Sequence, residues 1–221
     1  MYYRYWCYCF LSRNNGYISL SMSSEKDTYQ TIESPSEAIF KDRGSKFFGY
    51  AFPVSNEEEI KENLQQLRKL HPSSRHVCYA FRINPMNEYW RANDDGEPSS
   101  SAGKPILGQL RSMELQNTLV AVVRYFGGTL LGVPGLINAY KTAAFEALHL
   151  ATIIEKTVTE MIELRVGYEK MGDVMKFAKD SGFEYDSPIM QDDFRLRIHI
   201  PAGQIEEMRS KFFEESWIEL D

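Results

Sequence analysis

The sequence predicts an α+β chain of two domains, on three observations. Thr118-Leu119-Val120-Ala121-Val122-Val123 is a near-continuous β-branched and aliphatic run, as expected of a strand buried on both faces. Glycines at 127, 128, 132 and 135 then break a loop that feeds an amphipathic helix. From Thr159 the apolar periodicity alternates in the order strand, helix, strand, strand, helix, strand, the βαββαβ rhythm of a ferredoxin-like unit. A chain of 221 residues, 43% hydrophobic and 25% charged, has enough material for two modest cores and is neither collagenous nor disordered in composition.

Residues 1–33 read as a disordered or mis-assigned extension. Tyr2, Tyr3, Tyr5, Trp6, Tyr8 and Phe10 crowd together without periodicity, and no small-residue cleavage site follows as a signal peptide would require. Met22-Ser23-Ser24-Glu25-Lys26 reads like an ordinary cytoplasmic start, so residues 1–21 are expected to come from an over-extended reading frame, the alternative being a real but loosely attached arm.

The first domain is expected over 34–152. Glu37 to Phe40 and Ser45 to Val54 read as strands punctuated by Gly44. Ser55-x-x-Glu58 has the form of a capping box, Ile60, Leu64, Leu67 and Leu70 make a helical stripe, and Pro72 ends it. His76 to Ile83 is a strand, Asn84-Pro85-Met86-Asn87 a turn, and Glu88 to Arg91 a short strand. A helix over Leu107 to Leu115, the central strand, and a helix from Pro134 to about Ala151 complete it; proline suits a first helical turn, where its missing N–H has no partner to lose.

Residues 153–157 are the expected linker and 158–221 the second domain. There the strands are Thr159 to Gly167, Glu184 to Met190, Phe194 to Ile200 and Trp217 to Leu220, and the helices Lys170 to Ser181 and Gly203 to Phe213. Met171, Val174, Met175 and Ala178 form the core stripe of the first of these helices, and Gly182 suits its C-terminal cap.

Charge is unevenly spread. Residues 36–154 carry 13 basic and 12 acidic side chains, residues 155–221 carry 9 and 16, and the whole chain has a formal charge of −6. A general polyanion binder would be basic overall, so any nucleic-acid contact must be local. Such a place exists: Arg68, Lys69, Arg75, Arg82 and Arg91 lie between residues 68 and 91 against Glu88 alone, interleaved with Tyr79, Phe81, Tyr89 and Trp90. Cations beside aromatics can track a phosphate backbone and stack bases. The competing reading is a core of aromatics with a solvated arginine face.

Arg124 closes the buried run, and a guanidinium there needs a carboxylate or carbonyl partner. Asp94, Asp95 and Glu97 are the candidates. They could also hold Mg²⁺, but neutralising Arg124 and capping the turn is the favoured role. The glycine loop is a possible anion site; Gly127 and Gly132 have the outer spacing of a Walker A loop, yet Val133-Pro134 stands in place of Lys-Ser/Thr, and tight strand-to-helix packing is the alternative. Ser99, Ser100 and Ser101 have no base placed beside them, and no zinc spacing involves Cys7, Cys9 or Cys78. The cysteine usage fits a reducing cytoplasm, and no apolar run approaches the ~20 residues of a membrane span.

Two long motifs, Asp94-Asp95-Gly96-Glu97-Pro98-Ser99 with Ala102-Gly103-Lys104-Pro105, and Val122 to Gly128 continuing through Thr129 to Tyr140, resemble the signature of the YigZ/IMPACT family. The likeness runs from Ser36 to Asp221. Departures are Ser100 and Ser101 for a usual Gly-Thr, Leu130 for a frequent Lys, Pro134 for a frequent Gly and Asn138 for a frequent Arg. The resemblance implies a first domain like the second domain of ribosomal protein S5 and a ferredoxin-like second domain, a pair similar to the fourth and fifth domains of elongation factor G. It implies a non-catalytic translation regulator that binds the ribosome, RNA or a translation-regulatory protein. Eukaryotic relatives act on starvation signalling through an initiation-factor kinase, a pathway not carried over to this chain. The alternative is a small-molecule or phosphate-binding enzyme using the glycine loop, as in metabolite kinases of the same fold. Expected binding residues are Arg75, Arg82, Asp94, Asp95, Glu97, Ser99, Lys104, Arg124, Tyr125, Gly127, Gly128 and Thr129; no catalytic residue, metal or cofactor is assigned.

Overall fold

The structure is a computed structural model and describes residues 28–190, 194–215 and 217–220. Its first body comprises β1 (Thr28–Ile32), β2 (Ser36–Asp42), β3 (Ser45–Pro53), α1 (Glu57–Leu70), β4 (His76–Ile83), β5 (Tyr89–Asn93), α2 (Gly103–Ser112), β6 (Thr118–Tyr125) and α3 (Gly132–His149). Strands β2 to β6 form one antiparallel sheet in the order β2-β3-β6-β4-β5, so the apolar run at 118–123 lies in the middle strand. Its side chains alternate between two cores. Val120 and Val122 pack with α2 and α3, while Leu119, Ala121 and Val123 belong to the face covered by α1 through Ile60 and Leu67. The same alternation sends Arg124 to the α3 side and Tyr125 to the α1 side, which sets up the site.

Two close approaches hold the sheet to its surroundings. A Cβ on Gly49 of β3 would collide with the carbonyl of Ala143, so glycine lets α3 lie directly on the strand. Phe47, one turn of the pleat away, meets Tyr140 edge-on at 5.2 Å between ring centres.

Helix boundaries differ from expectation for identifiable reasons. The cap of α1 is Asn56, one residue past Ser55: its side chain accepts from Glu59 N at 2.9 Å, and Glu59 reaches back to Ser55 N at 2.7 Å. The box is therefore Asn-x-x-Glu. Helix α2 starts at Gly103, four residues before Leu107, because its cap comes from a distant carboxylate described below.

The extension and linker are corrected in part. Thr28–Ile32 is a strand paired antiparallel, Ile32 opposite Ile153, with β7 (Ile153–Thr157), the stretch expected to be a linker. Ile32 is fully buried in the core, and Gln116 N donates to Gln30 O at 2.8 Å. Backbone pairing with a segment more than 120 positions away, plus one buried isoleucine, makes this strand. The expectations for residues 1–21 lie outside the described residues.

The second body contains β8 (Thr159–Val166), α4 (Met171–Asp180), β9 (Glu184–Tyr185), β10 (Ile189–Met190), β11 (Phe194–Pro201), α5 (Ile205–Glu214) and β12 (Ile218–Leu220). Its sheet runs β10-β11-β8-β12, with β9 also on β11. Ile162, Leu164 and Val166 of β8 and Phe194, Leu196, Ile198 and Ile200 of β11 face Val174, Ala178, Met208 and Phe212 of the two helices. The single strand expected over 184–190 is two short ones, with Pro188, which has no N–H to donate, between them. Gly182 ends α4 with φ +70°, and Phe183 N bonds Ala178 O while Gly182 N bonds Lys179 O, a Schellman closure. The chain is thus a mixed α/β protein of two bodies.

Candidate functional site

Three acidic side chains in one tight loop go to three different elements. Asp94 accepts from the backbone N–H groups of Ser100 (2.8 Å), Ala102 (2.9 Å) and Gly103 (2.8 Å), and so caps α2 from outside the helix. Burial alone would raise its pKa, but these three donors and the charge of Lys104 prevail and hold it below the usual carboxylate value. Gly103 has no room for a side chain, since a Cβ would stand 2.6 Å from Asn93 N. Asp95, at φ +41°, accepts from Val77 N at 2.7 Å and from Arg68 at 3.1 Å. Its carbonyl accepts from His76 Nδ1 at 2.8 Å, which places the proton of a neutral His76 on Nδ1.

Glu97 takes the partner predicted for the cluster. Its Oε1 accepts from Arg124 Nη1 at 2.6 Å and from the Tyr140 hydroxyl at 2.8 Å, with side-chain exposures of 4% for Glu97 and 8% for Arg124. Asp94 and Asp95 do not share it. Arg124 Nε is buried and has no hydrogen-bond partner among the described residues. The guanidinium carbon lies 5.6 Å from the ring centres of both Phe47 and Phe126.

The remaining expected binding residues fall into two groups. Arg82 is committed to structure: it donates to the Leu115 carbonyl (3.1 Å) and the Leu110 carbonyl (3.4 Å) beyond and within the last turn of α2, and to Glu88 at 2.6 Å. Helix-end carbonyls need such donors, which gives Arg82 a cap's role away from the glycine loop. Gly127 is jammed against Gly44, where a Cβ would overlap the backbone, and its N–H donates to Ser45 Oγ at 3.1 Å. Arg75, Ser99, Lys104, Gly128 and Thr129 are not buried, and Arg75 and Lys104 make no ion pair among the described residues. Gly128, at φ +87°, has open space around it.

Two arrangements had no local signal. His71 is buried between two phenols, with Nε2 at 2.8 Å from Tyr50 Oη and Nδ1 at 3.0 Å from Tyr125 Oη. Burial lowers its pKa below the ordinary value of 6.5, against a smaller opposing effect of Glu37. Trp90 carries the Arg111 guanidinium 4.7 Å above its ring. Among the described residues no serine hydroxyl is bonded to a histidine ring, and no three metal-ligating side chains converge. No helix there is long and apolar enough to cross a membrane.

The structure brings Arg75, Arg124 and Tyr125 together. With Ser73, His76, Phe126 and Leu130 they line a pocket of about 480 Å³ between the start of β4 and the loop after β6. No carboxylate lines it.

A two-body α/β chain with this motif-built loop has relatives. The description "Impact N-terminal domain" matches residues 43–148. An IMPACT family member of Bacillus subtilis, YvyE, is 33% identical over 156 residues, covering 71% of this chain and 72% of its own. One from Thermus thermophilus is 34% identical over 159 residues, covering 72% and 86%. The crystal structure of a hypothetical protein superposes with a TM-score of 0.70 at 27% identity, covering 87% of this chain and 96% of the other. The chain belongs to the IMPACT family.

Proposed function

We propose that this protein is a non-catalytic, translation-associated factor of the cytoplasm that docks on ribosomal RNA through its first body. One observation carries the reading: Arg75, which makes no ion pair among the described residues, lines the same acid-free pocket after β6 as Phe126, whose ring is 56% exposed. Such pairs bind phosphate and stack bases. The family resemblance supports the translational setting, since it implies a pair of bodies similar to elongation-factor domains. In this reading the first body is of the ribosomal-S5-second-domain type. The second is ferredoxin-like, a reading supported by its order, which is βαββαβ once β9 and β10, both paired with β11, are taken as one interrupted strand.

The test is cosedimentation with ribosomes at low salt, followed by a salt titration. Each phosphate contact adds about 0.7–0.9 to the slope of log affinity on log salt, so Arg75→Ala should flatten it by about that amount. Arg82→Ala should leave the slope unchanged and lower stability, since its donors hold α2. Absence of binding to ribosomes and to structured RNA at low salt would end the RNA reading; a protein partner would then have to be sought. The pocket's volume also falls within the range of small-ligand sites, which favours a second reading as a phosphate-binding enzyme. That reading predicts turnover of a phosphorylated metabolite.

A further inference from the structure

We infer that the pocket between β4 and the loop after β6 is a nucleotide-phosphate subsite, holding a phosphate on Arg75 and Arg124 with the attached base against Phe126. This rests on the RNA reading above and specifies which part of an RNA the site grips.

The strongest reason is the state of Arg124. A guanidinium has five donors, and one nitrogen is engaged by Glu97 while Nε, buried, has no partner among the described residues. Glu97 therefore neutralises and positions Arg124 without saturating it. The second reason is the company it keeps. Arg75 is exposed and unpaired among the described residues, so its positive charge is uncompensated, with no acid on the pocket wall. The third is His76, whose Nδ1–H is spent on the Asp95 carbonyl, leaving Nε2 as an acceptor with no partner among the described residues, suited to a ribose hydroxyl of the same nucleotide. The fourth is Phe126, more than half exposed yet set beside the Arg124 guanidinium, so that one ligand could touch both. Gly127 pressed on Gly44 fixes the loop that carries this ring, so the site needs little reordering on binding.

A nucleotide phosphate can come from three sources: the 5′ end of an RNA, an internal phosphodiester, or a free nucleotide. Fluorescence anisotropy of the full chain with a labelled 12-nucleotide single-stranded RNA separates them. The RNA is prepared with a 5′-phosphate or a 5′-hydroxyl, and AMP and inorganic phosphate serve as competitors. Arg75→Ala and Phe126→Ala alter exposed side chains, and thermal melts verify that both variants fold. Each should weaken binding about tenfold, the size of one charge-assisted hydrogen bond or one stacked base. Tighter binding of the 5′-phosphorylated RNA, lost in both variants, assigns the chain end. Equal binding of the two RNAs, weakened in both variants, assigns an internal phosphate. AMP binding that both variants weaken, with no RNA bound, keeps the subsite for free nucleotides and refutes the RNA reading. Binding of RNA and AMP that neither variant changes, or no binding of any probe, overturns the subsite.

Discussion

Replacing Arg124 with methionine removes the cation from a pair whose two side chains are 8% and 4% exposed, and leaves Glu97 with the Tyr140 hydroxyl alone. A carboxylate stripped of its counter-ion in that position should cost about 3–5 kcal/mol. The Arg68–Asp95 pair supplies the contrast within the same loop: at 54% and 25% exposure it should contribute only about 0–1 kcal/mol. With a denaturant slope of about 2 kcal/mol per molar urea, Arg124→Met should lower the unfolding midpoint by roughly 1.5–2.5 M, and Arg68→Met by no more than about 0.5 M. Urea titration followed by circular dichroism measures both. The double variant Arg124→Met with Glu97→Gln carries no buried charge and should recover much of the loss, a coupling readable from the cycle. If Arg124→Met falls within about 1 kcal/mol of the parent, or if the two changes add, the pair is not the buried electrostatic tie described here.

Gly49→Ala should destabilise by about 1–3 kcal/mol, because a methyl group would have to push α3 off β3 at Ala143; a thermal melt decides it. Asp94→Ala should cost about 1–2 kcal/mol at neutral pH through the lost cap of α2. The folded pKa of Asp94 lies below its ordinary 3.8, so its contribution is present above that pH and fades as pH falls through the folded value; parent and variant should converge in strong acid. His71 has a folded pKa below 6.5, so its neutral form contributes stability above that value that is lost on acidification. His71→Gln should accordingly lose less stability than the parent between pH 7 and pH 5, measured as urea midpoints at each pH.

How much of this was legible depended on how far away the deciding partner lay. The central strand announced itself because burial on both faces needs only a run of apolar residues, and 118–123 is one. The need for a carboxylate at Arg124 followed from electrostatics, but not the choice among three acids. That was settled by the backbone, where left-handed Asp95 (φ +41°) and Gly96 (φ +85°) turn Glu97 toward α3 and aim its two neighbours elsewhere. The start of α2 was misplaced because its cap is eight residues upstream, beyond any local capping pattern. Arg82 read as a surface cation because nothing in a strand's sequence shows that a helix will end over it. The ribbon of β1 and β7 could not be read at all, since neither half is strongly apolar and each depends on the other.

That ribbon makes the segment between its two halves a cassette. Ile32 and Ile153 face each other across an antiparallel ladder, where Cα atoms stand roughly 5 Å apart, so the chain enters and leaves the first body at nearly one point. The stretch matching the Impact N-terminal domain, 43–148, lies wholly inside this clasp. A unit closed at its base can be spliced into the surface loop of another protein without stretching either host or guest, which gives one physical route by which a fold of this kind can travel between differently built chains.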